Sequence, residues 1–108
     1  MFKSRSKKKT QIFTHYLQTL GENASDKIVE GFQKTEKELV KRFVVEAQDL
    51  IDHNEWERGL ENLLDNIYEI DFPLDEKAIL LVKDAIRECG LVYKKWAFIE
   101  ELVKVPSN

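Results

Sequence analysis

A chain of 108 residues is long enough for one domain with one core, held together without metal or disulfide. Its 43% hydrophobic and 34% charged residues, with only four glycines and two prolines, suit helices better than a turn-rich sheet. The net charge of −3 hides a division: Lys3, Arg5, Lys7, Lys8 and Lys9 put +5 on the first nine residues, and the remainder carries −8, with eleven carboxylates against Arg58 alone between Glu46 and Glu76. Such a field argues against nucleic acid and anionic membranes as partners and in favour of a basic protein.

Residues 1 to 9 are polar and basic and read as a flexible arm, leaving 10 to 108 as a single helical domain. The arm has the charged start of an export signal, but no apolar run or small-residue cleavage site follows it. No stretch approaches the roughly 20 apolar residues that cross a bilayer. Cys89 is the only cysteine, so no internal disulfide can form. A cytoplasmic protein is the expectation.

From Thr10 the pattern turns helical. Ile12, Phe13, Tyr16, Leu17 and Leu20 fall on one face, and Gly21 reads as the stop. Ser25 or Asp26 can cap a second helical segment through Ile28, Val29 and Phe32. Gly31 weakens its middle, and Thr35 with Glu38 spells a capping box, so a break is expected near Lys34. Leu39, Val40, Phe43, Val44, Ala47, Leu50 and Ile51 then keep the helical period to about Asp52.

Asn54 followed by Glu57 is another start signal, and Trp56, Leu60, Leu63, Leu64, Ile67 and Ile70 mark the buried stripe of the next helix. The segment Asp71-Phe72-Pro73-Leu74 ends it, because proline disfavours helical geometry in the residue before it. Asp75 can cap the following helix, which buries Ala78, Ile79, Val82, Ala85, Ile86 and Cys89 and stops at Gly90. A last helix over 93 to 103 offers Trp96, Ile99, Leu102 and Val103. No strand alternation or internal repeat is visible, and the fold class is all-α, a compact bundle of five or six short helices.

The residues that could carry function lie on the helix after Asn54. With Trp56 at zero on a wheel of about 100° per residue, the apolar set spans about 320° through zero to 80°, while Glu57, Glu61, Asp65 and Glu69 fall at about 100°, 140°, 180° and 220°. Tyr68 lies among them. Like charges four residues apart cost an isolated helix a few tenths of a kcal/mol per pair, so helix stability alone does not favour the stripe. Carboxylates beside an aromatic suit a basic target, and facing a nuclease they can stand in for phosphates. A solvated acidic face has the same pattern.

Other constellations are weaker. Asp49, His53 and Glu57 would share a face only if one helix ran straight through them, and the Asn54 start signal argues that it does not, so no metal is expected. Cys89 occupies a core position, and His15 flanks an apolar stripe. Without a nucleophile motif, phosphate-cradling glycine loop or metalloprotease signature, the expectation is a binding protein, not an enzyme, with no cofactor.

The stretch Ala47-Gln48-Asp49-Leu50-Ile51-Asp52-His53-Asn54-Glu55, then Gly59-Leu60-Glu61-Asn62-Leu63-Leu64-Asp65-Asn66-Ile67-Tyr68-Glu69-Ile70-Asp71-Phe72-Pro73, resembles the MafI-type immunity proteins of bacterial toxin systems. Leu60-Glu61-Asn62-Leu63 running into Tyr68-Glu69 and the proline turn carries most of it, and the similarity continues past Gly90-Leu91 to Trp96, covering residues 46 to 98. The chain departs from the family at Asn54, where a small residue is usual, and at Leu74-Asp75, where a hydroxyl cap is usual after the proline. The resemblance implies a cytoplasmic antidote that binds the cognate toxin's C-terminal domain, often a nuclease. The expected partner is therefore a basic nuclease toxin domain, met by Glu57, Glu61, Asp65, Tyr68 and Glu69 with Asp71 at the turn. A helical adaptor in another cytoplasmic pathway is the alternative.

Overall fold

The computed structural model describes residues 2 to 103, and the side chains from Arg5 onward. Five α-helices, α1 (Phe2–Glu22), α2 (Glu36–Asp52), α3 (Trp56–Glu69), α4 (Glu76–Glu88) and α5 (Tyr93–Trp96), are followed by a 3-10 segment, Ala97–Leu102. A small antiparallel pair, β1 (Ile28–Val29) and β2 (Lys34–Thr35), bridges α1 and α2 with Ile28 opposite Thr35 and Val29 opposite Lys34. The fold is all-α, as the composition and periodicity require. α1 packs against α2, α3 and α4, and α2 packs on α3.

The longest correction concerns the N-terminus. Residues expected to form a flexible arm up to Lys9 belong to α1, which runs unbroken from Phe2. The cause is a seam of small hydroxyl residues: Ser6, Thr10 and Thr14 are buried along with Phe13 and Leu17. The two threonines are satisfied within the helix, since the Thr10 hydroxyl donates to the Ser6 carbonyl at 2.9 Å and that of Thr14 to the Thr10 carbonyl at 2.8 Å, while Ser6 Oγ accepts from the Trp56 indole at 2.9 Å. Thr10 Oγ1 also lies 3.5 Å from Sγ of Cys89, the C-cap of α4. The basic residues point across at α4, with Arg5 3.5 Å from Glu88 and Lys9 3.9 Å from Asp84. The seam is rotated from the expected apolar face, so Ile12, expected inside, is exposed.

Gly21 does not stop α1. It is buried at the crossing with α2, where a Cβ would stand 2.6 Å from Val40 Cγ1, so the absence of a side chain sets how closely the two helices approach. The helical segment expected over 25 to 34 is instead the β1–β2 hairpin, turned by Gly31 at φ 89° and Gln33 at φ 55°. Both conformations are costly inside a helix, which is why the apolar spacing there does not prevail. The Thr35–Glu38 capping box forms in full.

The centres of α2, α3 and α4 follow their patterns. Leu60, Leu63, Leu64 and Ile67 are fully buried, as are Val40, Ile51, Ala78, Val82 and Ala85. Three helices end in the same way. The chain turns left-handed at Asn54, Asp71 and Gly90, and in each the next residue's N–H reaches back to a carbonyl of the last turn: Glu55 to Leu50 at 2.8 Å, Phe72 to Ile67 at 3.0 Å and Leu91 to Ile86 at 3.0 Å. Asn54 therefore closes α2, where a start signal was expected, and α3 is capped without a side-chain bond at Glu55. Asp75 caps α4 through Ala78 N at 2.8 Å.

The last helix is shorter than the expected 93 to 103. α5 gives way after Trp96 to the 3-10 segment, whose period of three places Trp96, Ile99 and Leu102 on one buried line. The segment is tied to the proline turn, where Leu74 N donates to Leu102 O at 2.9 Å and pairs in parallel with Val103. Among the described residues no helix is long and apolar enough to cross a membrane.

Candidate functional site

α3 presents the acidic stripe because its opposite side is wholly committed to the core. With Leu60, Leu63, Leu64 and Ile67 pointing inward, the i, i+4 progression leaves Glu57, Asp65 and Glu69 exposed and Glu61 half-buried. Among the described residues none of these four carboxylates has a hydrogen bond or an ion pair. Other acids of the helices do meet a cation: Glu46 with Arg42, Glu55 with Arg58, Asp84 with Arg87 and Lys9, Glu88 with Arg5. The ladder is charge without a counter-charge.

Tyr68 stands at the lower end of the ladder, 40% exposed. It is held in place. Its ring meets the edge of Phe98 with centroids 4.5 Å apart, Phe98 leans on Trp96 at 5.7 Å, and its hydroxyl donates to Glu101 Oε1 at 3.2 Å. That bond and the Glu101 charge push the phenol above its ordinary pKa, so it stays a neutral donor at physiological pH. Phe98 and Glu101 extend the surface beyond the residues expected from sequence. Neither announces itself locally, because the signal is the 3-10 period that turns Phe98 off the Trp96–Ile99–Leu102 line.

Asp71 is placed differently from the other five. It occupies the left-handed residue after α3, at φ 53°, and faces the hollow beneath the hairpin with Ile28, Glu36 and Ile70. Partial burial, then the Asp71 charge, pushes the Glu36 carboxyl up. Asp71 thus has a structural task in the turn, whereas Glu57, Glu61, Asp65, Tyr68 and Glu69 share the outer side of α3.

At the upper end of the ladder an open cleft of about 490 Å³ lies between the first turns of α1 and the start of α3. Trp56 is one wall, with its indole N–H donating to Ser6 Oγ at 2.9 Å, and Glu57 and Glu61 form another. Lys7 Nζ stands 6.0 Å from the indole centroid and 3.4 Å from Asn54 Oδ1. The sequence gives no hint of this cleft, since it depends on Ser6 being docked.

The remaining constellations come apart or are closed. Asp49 and His53 end α2, Glu57 begins α3, and among the described residues no group of three or more His, Cys, Asp or Glu side chains could hold a metal ion. Burial pushes the Cys89 thiol up, outweighing the lowering effect of the Thr10 contact, and so favours the protonated form. Comparison with protein-family models, with curated proteins and with solved structures finds no match to this chain.

Proposed function

We propose that the protein is an immunity protein: it neutralises a basic toxin domain, a nuclease in the simplest case, by stoichiometric binding through the outer side of α3. One observation carries the reading. Four carboxylates at i, i+4 spacing project from a helix whose other side is fully buried, and they have no counter-charge among the described residues. Each adjacent pair costs a few tenths of a kcal/mol in helix stability. A cationic protein surface would convert that cost into attraction.

The division of labour follows from magnitudes. Clustered surface charge raises association rates by roughly ten- to a thousandfold and fades with salt, so Glu57, Glu61, Asp65 and Glu69 would set how fast the toxin is caught. Retention needs desolvated contact area, which Tyr68 and Phe98 supply as a pre-positioned aromatic pair at the ladder's end. The resemblance of residues 46 to 98 to the MafI-type immunity proteins supports the same reading, since it spans this helix and the turn after it.

The test replaces Glu61, Asp65 and Glu69 together by lysine. All three lie off the core, so the helical circular dichroism should be unchanged while protection of toxin-expressing cells is lost. If the triple variant rescues cells as well as the natural chain does, the toxin docks elsewhere.

A further inference from the structure

We infer that the cleft between α1 and α3 is an anchor pocket for an arginine side chain of the basic partner. The inference rests on the proposed toxin-binding role and names the contact within it that discriminates.

The wall residues are arranged for a flat cation. Trp56 is fixed, because its indole N–H is tied to Ser6 Oγ at 2.9 Å and Ser6 is itself only 5% exposed. An indole ring is the best aromatic surface for a guanidinium, attractive to about 6 Å from its centroid. Glu57 and Glu61, one helical turn apart, border the same space, and the five donors of a guanidinium suit two neighbouring carboxylates better than the point charge of an ammonium does. Arg58, the cation lining the cleft, is directed to Glu55 at 3.5 Å and leaves that pair unneutralised.

A second observation points to the class of ligand: the chain places a cation of its own at this ring. Lys7 stands 6.0 Å from the indole centroid and 3.4 Å from Asn54 Oδ1, at the outer limit of both interactions. It is held loosely and is an internal competitor. An entering arginine would stack on the indole, pair with Glu57 and Glu61 and displace the ammonium to solvent. Lys7 would then lower the affinity, though it adds no clash.

The experiment is a titration of the ¹⁵N-labelled full chain with a nona-arginine peptide at low ionic strength, following the indole N–H resonances of Trp56 and Trp96. A Trp96→Phe or Trp56→Phe variant, whichever folds, assigns the two. The Trp56 resonance should shift saturably while that of Trp96, in the core, stays still. Glu57→Gln with Glu61→Gln should weaken binding about tenfold, the loss of one charge-assisted pair and more. Asp65→Asn with Glu69→Gln, which removes the same charge two turns away, should weaken it far less. Lys7→Ala should tighten it.

Equal loss from the two neutralised pairs, a motionless Trp56 resonance, or weaker binding by Lys7→Ala would each overturn the pocket. The titration contains no toxin, so the two readings fail separately. No Trp56 response beside lost protection in the lysine triple variant removes the pocket and leaves the α3 surface. A clear Trp56 response beside full protection removes the toxin from that surface and with it the anchor role.

Discussion

The first turns of α1 and the outer side of α3 are equally rich in charge and treat it in opposite ways. On α1, Arg5 and Lys9 reach Glu88 and Asp84 across the groove to α4, and the helix between them is buried through Ser6 and Thr10. On α3, Glu57, Glu61, Asp65 and Glu69 meet no cation among the described residues. Charge density alone does not separate a structural surface from a recognition surface. What does is whether counter-charge inside the molecule meets the charge, as it does for Arg5 and Lys9 and, among the described residues, does not for the α3 ladder.

The strongest way to break that comparison is a proline in α1. If residues 1 to 9 formed a flexible arm, Lys8→Pro would be silent. In a docked helix it removes a backbone hydrogen bond, clashes with the preceding turn and unseats Ser6, so a loss approaching roughly 3 kcal/mol is expected, seen as a lower midpoint in urea denaturation. An unchanged midpoint would restore the arm. A milder contrast follows from pairing. Glu88→Gln should destabilise by up to about 1 kcal/mol, because the Glu88 side chain is only 18% exposed and faces Arg5. Asp65→Asn should instead stabilise by a few tenths of a kcal/mol by relieving its like-charged neighbours, while weakening toxin neutralisation. The same sign for both would erase the distinction.

Much of this arrangement is legible in the sequence, and the failures share a cause. The interiors of α2, α3 and α4 were readable because large apolar residues recur at 3.6-residue spacing, and the acidic stripe was readable as their complement. α1 was misjudged because its seam uses Ser6, Thr10 and Thr14, which a hydropathy pattern counts as surface although Thr10 and Thr14 satisfy their hydroxyls on their own helix and Ser6 accepts from the Trp56 indole. The hairpin was missed because two-residue strands have no period to detect, and Gly31, left-handed in the turn, reads in the sequence only as a weak point in a helix. Gly21 has the look of a helix stop, and nothing local says that Val40 lies against it. The Trp56 cleft and the Phe98–Tyr68 contact join residues far apart in the chain, so no reading of one segment reveals them.

Asp71 offers a finer division between turn and interface. It was expected among the binding residues, yet it holds φ 53°, which glycine adopts at lower cost. Asp71→Gly should raise stability by about 0.5 to 1 kcal/mol, as read from the denaturation midpoint, and leave neutralisation near its natural level. A large loss of neutralisation with the expected gain in stability would return Asp71 to the contact surface.

The smallest effect concerns a charge whose pairing is conditional. His53 is the C-cap of α2, just before the left-handed Asn54, with its ring 2.7 Å from the Asp49 carbonyl and 3.6 Å from the Asp49 carboxylate. The carbonyl bond first, then the Asp49 charge and those of Asp52 and Glu55, raise its pKa above 6.5. A raised value in the folded state means that folding favours the protonated ring. Its contribution is therefore complete below the unfolded pKa near 6.5 and is lost as pH rises through the higher folded value. The imidazolium also sits at the negative end of a helix dipole, which acts in the same direction. His53→Gln should accordingly lower the melting temperature slightly at pH 5.5 and leave it unchanged at pH 9, in low salt. A larger penalty at pH 9 than at pH 5.5 would mean that the neutral ring is the form the fold prefers. His53 would then belong with the unpaired charges of α3, not with the paired ones of α1.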